Sequence, residues 1–190
     1  MSIGLVAIGA SWGGLQALQI LLASLPADFL PAVVIVQHRE RGMGGSLLAL
    51  LQDKSALPLV EVEDKLPITP QRVHLAPPDY HLLVEAEAFT LSIDPPVNHA
   101  RPAIDLLLVT AAEAFGRRLV GIVLTGTGED GARGLAAVTA RGGLAIVEDP
   151  ASAVQPGMPA AALRAAPEAT VLPLAAIGPF LARHCRGDGP

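Results

Sequence analysis

The chain has 190 residues, enough for one domain with a large buried core. Hydrophobic residues make up 51% and charged residues 16% of the sequence, a composition that excludes a disordered chain. The formal net charge of -5 and the aromatic content of 3% exclude a basic or base-stacking surface for nucleic acid. No apolar stretch reaches the roughly 20 residues of a membrane span and no secretory signal is evident, so we expect a soluble, cytoplasmic protein without direct membrane insertion.

Apolar runs bounded by Gly, Pro and Asp alternate with helical patterns along the chain. The predicted strands span residues 3–8, 32–36, 59–62, 73–75, 82–84, 89–93, 119–124 and 143–147. The predicted helices span residues 14–24, 44–52, 102–115, 131–140, 157–165 and 174–184. Strands 32–36 and 119–124 are apolar on both faces, as in parallel sheets covered by helices. The βαβ rhythm therefore predicts an α/β fold with a doubly wound, mostly parallel sheet flanked by helices.

The middle of the chain has a different pattern. Residues 57–96 combine short strands with many prolines, which predicts a hairpin-rich insertion or an antiparallel edge of the same sheet. No interdomain linker is apparent, so we predict a single domain over residues 1–185 and a flexible tail at 186–190. Cys185 is the only cysteine, which excludes an internal disulfide and a cysteine-based zinc cluster; we interpret it as an ordinary helix residue.

The segment Gly9-Ala10-Ser11-Trp12-Gly13 lies between a predicted strand and a predicted helix. A Gly-x-Ser-x-Gly turn in this context exposes a nucleophilic serine, although glycine and serine are common at any such turn. In an open α/β sheet, functional residues gather at the carboxyl ends of the strands. Strand 32–36 runs into His38 and strand 119–124 runs into a loop that contains Asp130, so both are expected at the same edge as Ser11.

These three residue types can form a catalytic triad. A serine hydroxyl needs an adjacent base, histidine can take and return the proton, and a carboxylate orients the imidazole. His99, in a polar loop, competes with His38 for the role of base, and Asp149 competes with Asp130.

Other candidates have structural interpretations. We interpret His74 as a core histidine and His81 and His184 as surface or structural residues. Asp105 lies within a predicted helix and is interpreted as a solvated surface charge.

The loop from Gly126 to Gly131 also matches Gly-x-Gly-x-x-Gly, a dinucleotide-binding pattern, with acidic Glu148 and Asp149 about 20 residues on. Glu129 and Asp130 weigh against that interpretation, because they place negative charge where a pyrophosphate would bind. A nucleotide-binding, non-catalytic module nevertheless remains an alternative.

From Ile8 to about Leu172 the chain resembles the catalytic domain of the CheB family, the chemotaxis protein-glutamate methylesterases. The matching segments are Ile8-Gly9-Ala10-Ser11-x-Gly13-Gly14, Gln37-His38, Pro95-Pro96-Val97-Asn98 with Arg101-Pro102, Leu124-Thr125-Gly126-x-Gly128-x-Asp130-Gly131, and Gly157-Met158-Pro159. The family triad maps onto Ser11, His38 and Asp130.

The resemblance implies hydrolysis of γ-glutamyl methyl esters on the cytoplasmic helices of chemoreceptors, and in many members deamidation of glutamine. The reaction implied by this resemblance needs no cofactor and no metal. Backbone N–H groups of Trp12 or Gly13 and of the Thr127-Gly128 loop are expected to hold the oxyanion. Arg39, Arg41 and Arg101 flank the expected pocket and are either contacts for an acidic receptor helix or ordinary surface arginines.

The chain also departs from the family pattern. The family usually has Thr at the position of Trp12, often Met at that of Thr127, and an amide or similar polar residue at that of Glu129. These departures leave open an esterase of the same mechanism with a different substrate. The family's receiver domain does not precede the first predicted strand, which implies either a stand-alone esterase or a fragment.

Overall fold

The computed structural model describes residues 2–38 and 44–185. The predicted tail at 186–190 and the rim residues Arg39 and Arg41 therefore lie outside the described residues. The strands are β1 (Leu5–Ala10), β2 (Ala32–Gln37), β3 (Leu59–Glu61), β4 (Val73–Leu75), β5 (His81–Val84), β6 (Phe89–Ser92), β7 (Leu119–Val123), β8 (Leu144–Glu148) and β9 (Thr170–Leu172). The helices are α1 (Gly14–Ala23), α2 (Gly44–Gln52), α3 (Ile104–Phe115), α4 (Ala132–Ala140), α5 (Gly157–Ala165) and α6 (Leu174–His184).

Within the described residues, seven strands form one parallel sheet in the order β3-β4-β2-β1-β7-β8-β9. This arrangement confirms the predicted doubly wound α/β fold. In the section 57–96, β5 and β6 pair antiparallel and form a separate two-stranded sheet, and an isolated antiparallel bridge joins Pro67 to Ala88. Strands β3 and β4 instead join the main sheet in parallel. Strand β9, three residues at the edge of the sheet, was not predicted.

The two faces of the main sheet bury two apolar clusters. Leu5 and Ala7 of β1 pack into a cluster with α3, α4, α5 and the β5–β6 hairpin. Val6 and Ile8 pack on the other face with α1, α2 and α6. Successive residues of a strand point to opposite faces, which is why strands covered on both sides are apolar throughout.

The strand order reverses between β1 and β7. From β1 the chain moves outward to β2, β3 and β4, and it later returns to the other side of β1 through β7, β8 and β9. Such a switch point opens a crevice at the carboxyl ends of the strands. Ser11 follows β1, His38 follows β2 and the loop with Asp130 follows β7, so the sheet itself places all three at this crevice.

Among the described residues, no helix combines the length and the apolar character that a bilayer crossing requires.

Candidate active site

Ser11 lies in a tight turn. Hydrogen bonds to residues at the ends of two neighbouring strands hold this turn in place. Its backbone N–H donates to the Thr125 carbonyl at 3.0 Å, and its own carbonyl accepts the Gln37 side-chain amide at 2.8 Å. The Thr125 hydroxyl donates to the Trp12 carbonyl at 3.0 Å. These bonds fix the serine backbone relative to both β2 and β7.

Two glycines make this geometry possible. Gly13 has φ of 80° at the start of α1, a left-handed backbone conformation that residues other than glycine and asparagine rarely adopt. A Cβ on Gly126 would lie 2.7 Å from the Ser11 Cβ and would overlap the Met158 sulfur. The β7–α4 loop can approach the serine only because residue 126 has no side chain.

His38 bridges the serine and the acid. Its Nδ1 lies 3.2 Å from Ser11 Oγ and its Nε2 lies 2.8 Å from Asp130 Oδ2. A carboxylate accepts hydrogen bonds, so Nε2 carries the proton, and the Nδ1 lone pair accepts the Ser11 hydroxyl. The ring is used in the opposite sense in chymotrypsin, where Nε2 faces the serine.

Asp130 is buried and saturated with donors. Its carboxylate accepts the backbone N–H groups of Ile104 at 2.8 Å and Asp105 at 3.0 Å, which are free donors of the first turn of α3. It also accepts the Asn98 side-chain amide at 3.1 Å. The acid that orients His38 therefore also caps a helix whose own N-cap residue has no capping side chain.

The pKa of Asp130 reflects these opposing effects. Burial by itself raises the pKa, but the hydrogen bonds from His38, the two α3 N–H groups and Asn98 outweigh it, and the net pKa lies below the ordinary value of 3.8. Asp130 is therefore a carboxylate at neutral pH, as a partner for an imidazolium must be.

The interpretation of Asp105 as a solvated surface charge is wrong. Its side chain is buried and accepts the backbone N–H groups of Gly131 at 3.0 Å and Gly134 at 2.8 Å, at the start of α4. Burial of a helical acid cannot be detected from the sequence alone, because it depends on the helix packed against it. These bonds also weigh against dinucleotide binding, because the N–H groups that would receive a pyrophosphate already bind a carboxylate.

The other histidines separate into structural and exposed positions. His74 is fully buried and its Nδ1 hydrogen bonds to the Val33 carbonyl, as expected of a core histidine. His81 is also fully buried, which supports the structural alternative for this residue over the surface one. His184 is exposed and stacks on Phe180. His99 lines the cavity, but no hydrogen bond within the described part of the chain joins it to Ser11.

A cavity of about 1070 Å³ opens above the three residues. Trp12, Gly13, Thr127, Gly128 and Arg101, the residues predicted to bind substrate or oxyanion, all line it. Across residues 2–38 and 44–185, the backbone N–H groups of Trp12, Gly13, Thr127 and Gly128 have no hydrogen-bond acceptor. These N–H groups are the available donors at the site.

The cavity wall has an apolar side and a polar side. Trp12 is 68% exposed, and together with Leu15 and Leu50 it forms what we call the apolar rim. On the polar side, Arg101 donates from Nη1 to the Ile93 and Asp94 carbonyls at 2.8 and 3.1 Å. Its buried Nε has no partner among the described residues.

Two further residues support the serine turn, a role that the sequence pattern did not indicate. Gln37 ends β2, and its amide donates to the carbonyls of Ser11 and His38. Glu148 ends β8, is 2% exposed, and accepts the Thr125 N–H at 2.7 Å. A polar residue at the end of an apolar strand is the signal that would have drawn attention to both.

Replacing Glu148 with glutamine is expected to stabilise the fold at neutral pH. Burial raises the pKa of this carboxyl above 4.5, and the Thr125 hydrogen bond offsets that only in part. Since the folded pKa is raised, the stability that protonated Glu148 contributes is complete below pH 4.5 and is lost as pH rises through the folded pKa. Each pKa unit corresponds to about 1.4 kcal/mol.

Urea denaturation at several pH values measures this effect. The stability gain of Glu148→Gln should be present at pH 7 to 8 and absent below about pH 4. Glu168→Gln, at an exposed position, is the control and should have no effect. An equal gain at all pH values would show that the cause is not the buried charge.

The fold and the geometry together define a class of protein. A serine at a strand-to-helix turn, a histidine within reach of its hydroxyl and a buried carboxylate behind the histidine, at the switch point of a parallel sheet, are the arrangement of an α/β serine hydrolase.

Comparison with known proteins identifies the family. The CheB methylesterase family model matches residues 6–181. A Leptospira interrogans protein, provisionally named protein-glutamate methylesterase/protein-glutamine glutaminase, is 39% identical over 94% of this chain and 93% of its own length. The protein-glutamate methylesterase FrzG of Myxococcus xanthus is 40% identical over 93% of this chain and 53% of its own length. The crystal structure of the Thermotoga maritima CheB methylesterase catalytic domain superposes with a TM-score of 0.91 at 35% identity, covering 96% of this chain and 99% of that one.

The chain belongs to the CheB methylesterase family. The family recognised from the sequence and the class of enzyme, a protein-glutamate methylesterase, are confirmed.

Proposed function

We propose that this chain hydrolyses γ-glutamyl methyl esters on the cytoplasmic helices of methylated chemoreceptors, with Ser11, His38 and Asp130 as its catalytic triad. The observation that carries the proposal is the hydrogen-bonded relay from Ser11 through His38 to Asp130, at 3.2 and 2.8 Å. The substrate is a protein and the enzyme acts in the cytoplasm.

Ser11 Oγ attacks the ester carbonyl carbon and His38 Nδ1 takes its proton. The resulting imidazolium is stabilised by the Asp130 carboxylate on its other nitrogen. The C–OMe bond then breaks, and the departing methoxide takes the proton from Nδ1 to leave as methanol. Water adds to the acyl-enzyme with the same proton relay, and the glutamate carboxylate is released from a regenerated Ser11.

The tetrahedral intermediate carries a negative oxygen that needs N–H donors. The unpaired N–H groups of Trp12 or Gly13 at the start of α1, and of Thr127 or Gly128 in the facing loop, supply them from the two sides of Ser11. The α1 N-terminus adds a partial positive charge. A single oxyanion donor is worth about 3–4 kcal/mol of transition-state stabilisation.

The polar side of the cavity receives the rest of the substrate. The guanidinium of Arg101 is held by two backbone carbonyls, and its positive charge at the cavity wall suits a carbonyl or carboxylate of the substrate. An amide in place of the ester would follow the same path and release ammonia, so glutamine deamidation is a second activity of the same site. The name protein-glutamine glutaminase of the Leptospira interrogans relative favours it.

Methanol release from a methylated receptor, measured for the wild-type chain and Ser11→Ala, tests the proposal. Release by the wild-type chain alone supports it, whereas equal release by both would assign the chemistry to another nucleophile. Absence of release from the receptor together with hydrolysis of small esters would favour a different substrate for the same mechanism.

Replacing Trp12 with alanine is expected to separate protein recognition from chemistry. The indole is 68% exposed on the apolar rim, where it can contact a protein substrate, while the Trp12 backbone groups at the site are retained. Since an exposed aromatic anchor is typically worth about 1–2 kcal/mol at a protein interface, kcat/KM for the methylated receptor should fall about tenfold.

Hydrolysis of a small glutamyl methyl ester should change less than threefold in the same Trp12→Ala variant. Leu30→Ala removes another exposed apolar side chain, before β2 and therefore at the opposite edge of the sheet, and should affect neither substrate. An equal loss on both substrates would show that Trp12 shapes the reaction centre and not protein recognition.

A further inference from the structure

Two helices at the site exchange their capping carboxylates. Asp130 precedes α4 and accepts the first N–H groups of α3, while Asp105 lies in the first turn of α3 and accepts N–H groups at the start of α4. Each acid therefore satisfies donors of the helix to which the other belongs. The position of the Asp130 carboxylate depends on the packing of α3 against α4 at this point.

The two carboxylates are close neighbours. The single N–H of Gly131 lies 3.0 Å from Asp105 Oδ1 and 3.0 Å from Asp130 Oδ1. The Asn98 amide nitrogen lies 3.0 Å from Asp105 Oδ2 and 3.1 Å from Asp130 Oδ1. Both acids are buried, at 4% and 3% exposure.

Asn98 reaches both acids from a tight turn. Asn98 and His99 have φ values of 50° and 62°, and Val97 and Ala100 on either side exchange backbone hydrogen bonds at 2.9 and 3.1 Å. Left-handed backbone at two successive residues other than glycine costs free energy. The turn presents the amide to the gap between the two carboxylates, so that one side chain donates to both acids, each of which also accepts backbone N–H groups.

We propose that Asp105 is a second acid of the active centre, a positioning residue that holds Asp130 in place and whose negative charge helps to stabilise the imidazolium of His38. It touches no substrate and acts through Asp130. The proposal rests on the proposed function, because it takes His38 as the base of the reaction.

The geometry gives the charge effect its sign. Asp105 adds a negative charge directly behind the Asp130–His38 pair, in a buried region where screening by water is weak. A negative charge favours the protonated ring, so its removal should make His38 lose its proton at lower pH. Among the described residues, the other titratable or charged groups around this cluster and the cavity beside it are Arg133, His99, Arg101, Glu129, Asp79 and His81. The Arg133 Nε lies 3.6 Å from Asp105 Oδ2, but its side chain is 65% exposed, so it offsets only part of the Asp105 charge.

Asp105→Asn tests the charge and Asp105→Glu tests the position. Asp105→Asn should shift the rising limb of the kcat/KM profile for methanol release to lower pH by up to about one unit, because it removes a unit negative charge from a buried region where screening is weak. Its kcat should fall about tenfold and its KM should change less than twofold. Asp105→Glu should lower kcat and leave the limb where the wild type has it, because the charge is retained.

Glu113→Gln is the matched control. It removes an acid from the same helix at an exposed position, about 12 Å along the axis from Asp105, and should change neither limb nor kcat. NMR titration of the His38 ring, assigned with His38→Gln, reads the same shift without any turnover. If the wild type releases no methanol but the ring titration still shifts in Asp105→Asn, the proposed function fails and the role of Asp105 stands.

An unchanged ring titration in a folded Asp105→Asn variant would overturn the proposal, whatever its rate. Should Asp105→Asn not fold, Asp105→Glu alone decides. For Asp105→Glu, a reduced kcat with the rising limb of the pH profile and the His38 ring titration at their wild-type positions would support the proposal. A shifted limb would overturn it, because this variant keeps the negative charge.

Discussion

Replacement of Ser11 with alanine is expected to lower kcat for methanol release by about 10⁵–10⁶-fold while the fold is retained. The substitution removes only the hydroxyl group. The hydrogen bonds that hold the turn use the Ser11 backbone N–H and carbonyl, which alanine keeps. Loss of a triad serine removes the acyl-enzyme pathway entirely, which accounts for the size of the effect. Methanol release under single-turnover conditions, with circular dichroism to verify folding, measures both parts.

Ser55→Ala is the control for the Ser11 prediction. Ser55 hydrogen bonds to Leu57 in the loop between α2 and β3 and is not among the residues that line the cavity. Its replacement should leave kcat within twofold of the wild type. Ser11→Ala activity within tenfold of the wild type would be incompatible with a covalent serine mechanism.

Replacement of Asp130 with asparagine is expected to lower kcat by about 10⁴-fold. An asparagine amide can donate to Nε2 and thereby move the ring proton to Nδ1, where it blocks acceptance of the Ser11 proton. It also offers no negative charge to the imidazolium. KM should change little, because the Asp130 carboxylate is engaged by α3 and His38.

The Asp130→Asn variant should also lose stability in a pH-dependent way. The folded pKa of Asp130 lies below 3.8, so the ionised group contributes stability that is present above pH 3.8 and lost as pH falls through the folded pKa. The wild type should therefore be more stable than the variant at pH 5 to 8, and the difference should shrink below pH 3. Urea unfolding at these pH values measures the difference.

Asp149→Asn is the matched control for Asp130, because Asp149 was the competing acid in the sequence. Its carboxylate accepts the Ala151 N–H in the turn after β8, and no hydrogen bond in the described part of the chain joins it to His38. Its replacement should leave kcat within threefold of the wild type. A large loss in Asp149→Asn with near-normal activity in Asp130→Asn would reverse the assignment of the acid.

Much of the fold follows from local patterns. Strands such as β2 and β7 are buried on both faces. Their consecutive residues are therefore apolar, and this run is visible in the sequence. Helix–strand alternation then sets a parallel sheet, and a parallel sheet brings the residues after β1, β2 and β7 to one edge. The pairing of β3 and β4 with the main sheet was not predictable in the same way, because three-residue strands carry no register of their own.

The cluster behind His38 depended on packing between distant segments. In the sequence, the position of Asp105 is typical of a surface charge on an amphipathic helix. The residue is buried because α3 packs against α4. The partners of Glu148 and Gln37 are Thr125 and Ser11, which follow the neighbouring strands β7 and β1 and lie 23 and 26 residues away along the chain. Contacts of this kind leave no periodic signal.

By itself the sequence determined the class of fold, the family, and the presence of a serine, a histidine and an acid at neighbouring strand ends. The tertiary structure decided which histidine contacts Ser11 and which acid contacts that histidine, and that the imidazole presents Nδ1 to the serine and Nε2 to Asp130. It also revealed the exchange of carboxylates between Asp105 and Asp130. The physical reason is that strand and helix patterns come from each residue's own preference for burial, whereas ring orientation and helix capping depend on donors and acceptors that only the folded chain brings within 3 Å or so of each other.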